Sequence, residues 1–478
     1  MVASNHDIST FHPTSTESAD TTQTLSGKIG TWELASTVLA FSAPVCVVYS
    51  FLPVVIYFNG LGAPLTMLLT MGLLLLFAVG FCTMTKHVAR PGAFYDYIGT
   101  SFGARSGGGA AFLALFAYLF LATCCFTMFG TYTAKLFTET LGFTHFSWYI
   151  GTAIALVICS ILAYHRIDLS AKVLSIVMAL EILVVMIFNL SVLFQGGPEP
   201  VSFHSFTPSS LIGGEVFLGL LFSVTVFLGF ESTAIFRDEV KNPEKTIPRA
   251  TYLSVLLIGV FYAFCAWMII TAFGAQEVVK VAQENTAGLY SLAVTQYVGH
   301  VGMDATRLLL VTSAFAAALS AMNIVARYLF NLSKYKVLPR ALNQVHPKHG
   351  SPYIASITAT GLLISLVVVL SSIQSNPDQL IVTLAGIGAL AIMSLMMLTS
   401  FAIMKFFKQE KAFHLTKRLI PLLACIGLSM ILFKAVQQVE MLLGLNMLLS
   451  VSVLLLMLSI FAYGFFAFRK VTDLGSVS

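Results

Sequence analysis

Leu228-Gly229-Phe230-Glu231-Ser232 interrupts an otherwise apolar stretch, Val216–Phe236, with a glycine and an acid. Neither suits the middle of a buried helix: glycine weakens it, and a carboxylate away from water is costly. Ser42-Ala43-Pro44 interrupts an earlier apolar stretch. There the proline removes a backbone donor and clashes with the preceding turn. The number of apolar stretches between the two interruptions decides what fold carries them.

No Asp, Glu, Lys or Arg occurs from Leu34 to Thr85, room for two bilayer spans (helices 1 and 2) with a turn at Asn59-Gly60. A span needs about 20 apolar residues. Further spans fit Ser106–Ala134 (helix 3), Thr140–Tyr164 (helix 4), Val173–Pro198 (helix 5) and Val216–Phe236 (helix 6). Ala250–Gln276, Leu308–Ala326, His349–Pro377 and Gln379–Met404 follow as helices 7 to 10. Leu419–Val439, which tolerates Lys434, and Met441–Phe468 complete about twelve. Of the 478 residues 57% are hydrophobic and 10% charged, where a soluble protein would carry ~25% charge. A water-soluble fold is excluded.

The interruptions therefore fall in helices 1 and 6, five spans apart. Five is odd, so two such halves lie in the membrane in opposite orientations. Broken helices at matching places in two halves point to a transporter built from inverted repeats. The expected fold is an all-α membrane protein, a five-plus-five inverted repeat with two C-terminal helices. Its divisions are a disordered cytosolic tail over 1–27, a transport core over 28–404, helices 11 and 12 over 405–470, and a short tail over 471–478. The first 27 residues are polar, without a positive segment before an apolar core, and so do not read as a signal peptide.

Placing the N-terminus in the cytosol puts 22 of the 26 Lys and Arg on the cytosolic side; only Lys135, Lys280, Arg307 and Lys434 lie opposite. That asymmetry predicts both termini in the cytosol of an inner-membrane protein. The net charge of +5 thus reports topology and a lipid bilayer as partner, not nucleic acid. Seven cysteines, all inside apolar spans, have an odd count and no metal-ligand spacing, and read as small buried hydrophobes.

Ionisable groups inside spans mark function by default. Two sit deep: Glu181 in helix 5 and Glu231 in helix 6. Each also has a structural reading, as a neutral acid bonded to backbone in the core. A broken helix exposes backbone N–H groups at one half-helix end and C=O groups at the other. The first bind a carboxylate and the second an ammonium, so two apposed breaks suit an α-amino acid. The substrate-binding candidates are Ser42, Ala43, Pro44 and Val45 in helix 1, with Phe227, Gly229, Phe230, Glu231 and Ser232 in helix 6. Phe227 and Phe230 could close over the bound side chain or face core or lipid. Glu181 and Glu231 are the proton-coupling candidates, and the adjacent hydroxyls of Thr312 and Ser313 in helix 8 a candidate Na⁺ site. No nucleophile–base pair, phosphate loop or metal motif is present, so neither an enzyme nor a cofactor is expected.

The run GFESTAIFRDEVKNPEKTIPRA, Gly229 to Ala250, resembles the helix 6–7 signature of the amino acid–polyamine–organocation (APC) superfamily: Gly229 and Glu231, Asp238-Glu239, Lys241-Asn242-Pro243, Ile247-Pro248-Arg249-Ala250. Arg90-Pro91-Gly92-Ala93-Phe94-Tyr95 resembles that superfamily's start of helix 3, and Asn323-x-x-x-Arg327 with Leu338-Pro339 and His346-Pro347 its end of helix 8. The resemblance covers residues 28–410 and implies the same inverted-repeat fold and secondary transport of amino acids or amines. Two departures stand out. Ser42-Ala43-Pro44 replaces the superfamily's Gly-x-Gly at the helix 1 break, and Glu181 stands nine residues after Lys172, where relatives often carry a lysine. The expected function is a proton-coupled amino acid permease. Alternatives are an amino acid/amine exchanger, a polyamine or ethanolamine permease and, from another class, a transporter-like nutrient sensor, against which the short tails count.

Overall fold

A computed structural model of the chain describes residues 29–471, apart from 89, 91–92, 166–170, 213 and 410–414, and leaves aside the side chains of 40, 171–174, 238 and 409. The tails expected over 1–27 and 471–478 fall outside these residues except for Val471, as do Pro91 and Gly92. Among the described residues the chain is helical, with one isolated parallel bridge between Ile29 and Val240. Among the described residues ten helical segments are long and apolar enough to cross a membrane. The first, Thr31–Thr85, is divided by a 3₁₀ turn at Gly60–Gly62, and Trp148–Tyr164 is a shorter apolar helix of 17 residues. This is an all-helical, multi-pass membrane protein.

Several helices differ in length from the charge-free windows. Helix 7 spans Pro243–Phe273 and helix 8 Gly299–Lys334. At 1.5 Å per residue these 31 and 36 residues exceed the ~30 Å hydrocarbon core. Their charged ends project beyond it, which a search for charge-free text cannot register. Helix 4 starts at Trp148 rather than Thr140, because helix 3 (Ala104–Lys135) finishes in a π turn, Leu136–Thr140, before a short loop. The polar connection over 276–304 holds two short helices, Glu277–Glu284 and Leu289–Tyr297.

Helices 3 and 10 (Pro377–Phe406) form the centre and are largely buried, whereas helix 12 (Met447–Ala467) is mostly exposed and offers Leu448, Leu455, Leu458 and Phe466 to lipid. Lipid tails are as apolar as leucine, so close van der Waals contact holds helices together in a bilayer. Gly130 of helix 3 and Gly151 of helix 4 supply such a contact: a methyl on Gly151 would lie 2.9 Å from the Gly130 Cα.

Helix 1 is two helices. The first half runs Thr31–Ser42; the second resumes at Pro44–Cys46, widens into a π turn at Val47–Phe51 and continues over Leu52–Asn59. Between the halves Ala43 adopts φ 49°, ψ 70°. Pro44 explains the location, since its ring disfavours right-handed helix at the preceding residue and itself suits a helix start. An L-residue in this left-handed region is strained by about 1–2 kcal/mol. A β-branched side chain is worse there, so Ala43→Val is expected to cost about 2 kcal/mol or more, while Ala43→Gly stays within about 1 kcal/mol. Thermal midpoints in detergent check the ordering.

Helix 6 is α-helical only over Val216–Phe227. Leu228 (φ −56°, ψ 141°) and Gly229 (φ 111°, ψ −24°) form a type II turn, whose second central residue must take positive φ. The expected helix over 216–236 is corrected beyond this turn: Phe230–Ala234 and Arg237–Glu239 are 3₁₀ turns, and Val240 then bridges to Ile29.

Candidate functional site

The two breaks lie against each other: Phe41, one residue before the end of the first half-helix, packs so closely on Gly229 that a methyl there would overlap its ring. Beside them lies a cavity in whose wall stand Phe41, Ser42 and Ala43 of the helix 1 break and Val226 and Leu228 of the helix 6 break. Helix 3 adds Leu121, Cys124, Cys125 and Met128; Ala317 of helix 8 and Ala385 of helix 10 leave the space open. A second cavity shares Phe51, Thr225 and Ala385 with the first and reaches Lys135 and Asp378, which pair at 2.9 Å on the face poor in Lys and Arg.

On the opposite, Lys/Arg-rich face an ion pair and backbone bonds tie the segments together. Glu239 accepts from Arg327 Nε at 2.7 Å and Nη2 at 3.1 Å, and both side chains are largely buried. The guanidinium also lies over the Phe236 ring, 4.6 Å from its centroid. Arg237 Nη1 donates to the Thr85 carbonyl at 2.8 Å, and the backbone of Ile29 bonds to Glu239 and Lys241. The sequence singles out Glu239 and Arg327 only as parts of a signature. Nothing in residues 88 positions apart identifies them as partners.

Glu231 and Glu181 are both buried, and each serves a break. Glu231 Oε2 accepts the Gly229 amide at 2.9 Å, and Oε1 accepts the Tyr118 hydroxyl at 2.8 Å. Its carboxyl thus satisfies a donor that the type II turn leaves without a helical partner. Tyr118 in turn packs against Phe41 and Tyr328. Glu181 Oε2 accepts the Ser313 hydroxyl at 2.8 Å and faces the Val45 amide. Val45 follows Pro44 in the first turn of the second half-helix, so its N–H is one of that turn's orphan donors. One carboxyl therefore joins helices 1, 5 and 8.

The remaining candidates disperse. Ser42 and Ala43 line the cavity. Pro44, Phe227, Gly229, Phe230 and Ser232 are buried behind it, with Phe230 edge-on to Phe77 and Ser232 Oγ donating to the Gly229 carbonyl at 2.6 Å. Phe41 and Phe51, which nothing in the sequence singles out, line the cavity, while Phe227 and Phe230 take the core-facing of their two readings. Thr312 separates from Ser313: its hydroxyl bonds the Leu309 carbonyl of its own helix at 3.0 Å while Ser313 turns to Glu181. All seven cysteines are free and buried.

The fold and site define a class, helical membrane proteins with two apposed broken helices beside an internal cavity. The comparisons name the family. The amino acid permease family matches residues 30–440, and the chain belongs to it. The serine/threonine exchanger SteT of Bacillus subtilis (strain 168) is 28% identical over 37% of this chain and 39% of its own length. The branched-chain amino acid permease BcaP of the same organism is 28% identical over 43% of each chain. The L-methionine/branched-chain amino acid exporter YjeH of Escherichia coli (strain K12) is 23% identical over 65% of this chain and 71% of its own. The chain thus spans about two-fifths of the length of the first two relatives. The crystal structure of a manganese transporter from Eremococcus coleocola superposes with a TM-score of 0.60 over 95% of this chain and 99% of that one, at 13% identity. At that identity the likeness concerns the fold.

Proposed function

We propose that the chain is a secondary active amino acid permease, driven by protons and working by alternating access, in the inner (cytoplasmic) membrane. Both termini lie in the cytosol and about twelve helices cross the bilayer, residues 28–404 forming the transport core and 405–470 two appended helices. The distribution of Lys and Arg supports this orientation. Family membership and the named relatives support the cargo class. The apposed breaks support it chemically, since a zwitterion needs half-helix donors and acceptors close together.

The observation that carries proton coupling is Glu181, a carboxyl bonded to Ser313 and facing the Val45 amide at the helix 1 break. In the outward-open state water reaches it and it takes up a proton. On closure the site dries, and a dry carboxyl is cheapest when neutral. The neutral acid can then donate to a carbonyl freed by the break. Inward opening rewets it, and the proton leaves to the more alkaline cytosol. Glu231 could titrate in the same cycle, though its bonds to Gly229 and Tyr118 also suit a fixed support for the helix 6 break. Sodium coupling is less favoured because Thr312 is bonded within its own helix, away from Ser313.

Proteoliposomes test this. Glu181→Gln keeps the shape of the side chain and cannot ionise. It is expected to abolish uptake driven by an inside-alkaline pH gradient while leaving equilibrium exchange of cargo largely intact. Sodium-dependent uptake by the unmutated protein at zero pH gradient would overturn proton coupling, and transport requiring a counter-substrate inside would identify an exchanger.

A further inference from the structure

Resting on the amino acid reading above, we propose that the cavity between the breaks selects neutral amino acids with an apolar, aliphatic or thioether, side chain. Among the described residues lining it there is no Asp, Glu, Lys, Arg or His. Its walls include Val47, Leu121, Met128, Val226 and Leu228, with three thiols, Cys46, Cys124 and Cys125, between them. Its two hydroxyls are engaged elsewhere: Ser42 Oγ bonds the Tyr262 hydroxyl at 3.0 Å, and Thr225 Oγ1 donates to the Phe222 carbonyl.

The nearby acids do not change that chemistry. Glu181 is held by Ser313, and Glu231 by Tyr118 and the Gly229 amide; neither lines the cavity. A lysine, arginine or polyamine ammonium would be desolvated there without a counter-ion, and a glutamate without a cation. A serine or threonine hydroxyl would lose its water and find only the spare lone pairs of Ser42 and Thr225, fewer bonds than water gave it. An apolar side chain meets none of these costs, and each methylene moved from water into such a wall favours binding about fourfold. The small side chains of Ala317 and Ala385 leave it room. Leu121 is seated on Gly388 of helix 10, where an added methyl would come within 2.5 Å of its Cγ, so this wall is packed in place.

The purified full-length protein, titrated by thermal shift and scintillation proximity, gives the test. Leucine, isoleucine, valine and methionine are expected to bind at least tenfold more tightly than serine or threonine, with lysine, glutamate, putrescine and ethanolamine undetected at the same concentrations. Met128→Ala removes apolar wall without touching either break, and is expected to lower the leucine-to-alanine affinity ratio severalfold. A variant that merely loosened the fold would weaken both ligands alike and leave the ratio unmoved. As a second readout, leucine should protect Cys124 and Cys125 from a small alkylating reagent, scored peptide by peptide in mass spectra, and serine at equal concentration should not. Serine, threonine or a charged amino acid binding as tightly as leucine would overturn this selectivity while leaving the amino acid reading standing. Binding of putrescine or ethanolamine alone would overturn both.

Discussion

Gly229→Ala is expected to lower stability by about 2–5 kcal/mol and to leave little folded, ligand-binding protein at physiological temperature. Two separate costs add. The type II turn holds Gly229 at φ 111°, where a side chain is strained by about 1–2 kcal/mol. The new methyl would also overlap the ring of Phe41, and overpacking a tight site costs typically 1–3 kcal/mol. The two can be separated. Phe41→Leu in the Gly229→Ala background removes the overlap but not the backbone strain, so it should recover part of the loss in thermal midpoint and no more. Full recovery would mean that the turn tolerates alanine. No loss on Gly229→Ala itself would mean that the break is not the rigid turn seen here.

Why the sequence announced this break and not its surroundings is a matter of what residues encode locally. Pro44 and Gly229 are breakers wherever they stand, so both interruptions and their spacing of five spans could be read directly. The helix beyond Gly229 could not. Phe230–Ala234 is 3₁₀ rather than α, and five consecutive buried residues show no period by which 3.0 could be told from 3.6. The turn also re-aims every later side chain, which is why Phe230 faces Phe77 rather than the cavity. The π turn at Val47–Phe51 shifts register in helix 1 in the same way and accompanies Phe51 to the junction of the two cavities. Glu181 was identifiable because a lone acid in an apolar helix stands out. Its partners were not: Ser313 lies 132 residues away, and the Val45 amide is backbone that any residue would carry. The alternative use of Ser313 beside Thr312 was reasonable from adjacency, but neighbouring residues on a helix point about 100° apart, and here one faces Glu181 while the other bonds its own helix.

Arg327→Met is expected to open the Lys/Arg-rich face. Arg327 meets Glu239 through two parallel N–H donors, with the Phe236 ring beneath the guanidinium and the Glu239 side chain 6% exposed. Methionine preserves most of the length and apolar stem of arginine and removes the charge, so the buried Glu239 loses both guanidinium bonds. Breaking one side of a buried ion pair costs about 3–5 kcal/mol. That penalty falls on the closed arrangement alone, because opening lets water reach the carboxylate. A difference of about 3 kcal/mol changes the ratio of closed to open by more than a hundredfold, enough to invert a preference of ordinary size. Cys124 and Cys125 in the cavity wall report the change. In vesicles exposing the Lys/Arg-rich face, a membrane-impermeant thiol reagent should modify them far faster in Arg327→Met than in the unmutated protein. Adding Glu239→Gln removes the buried charge that the guanidinium balanced and should return much of the protection, since a neutral amide is far cheaper to bury than a carboxylate. An unchanged labelling rate in folded Arg327→Met protein would show that the remaining contacts, Arg237 on the Thr85 carbonyl and the Ile29–Val240 bridge, close this face without the ion pair.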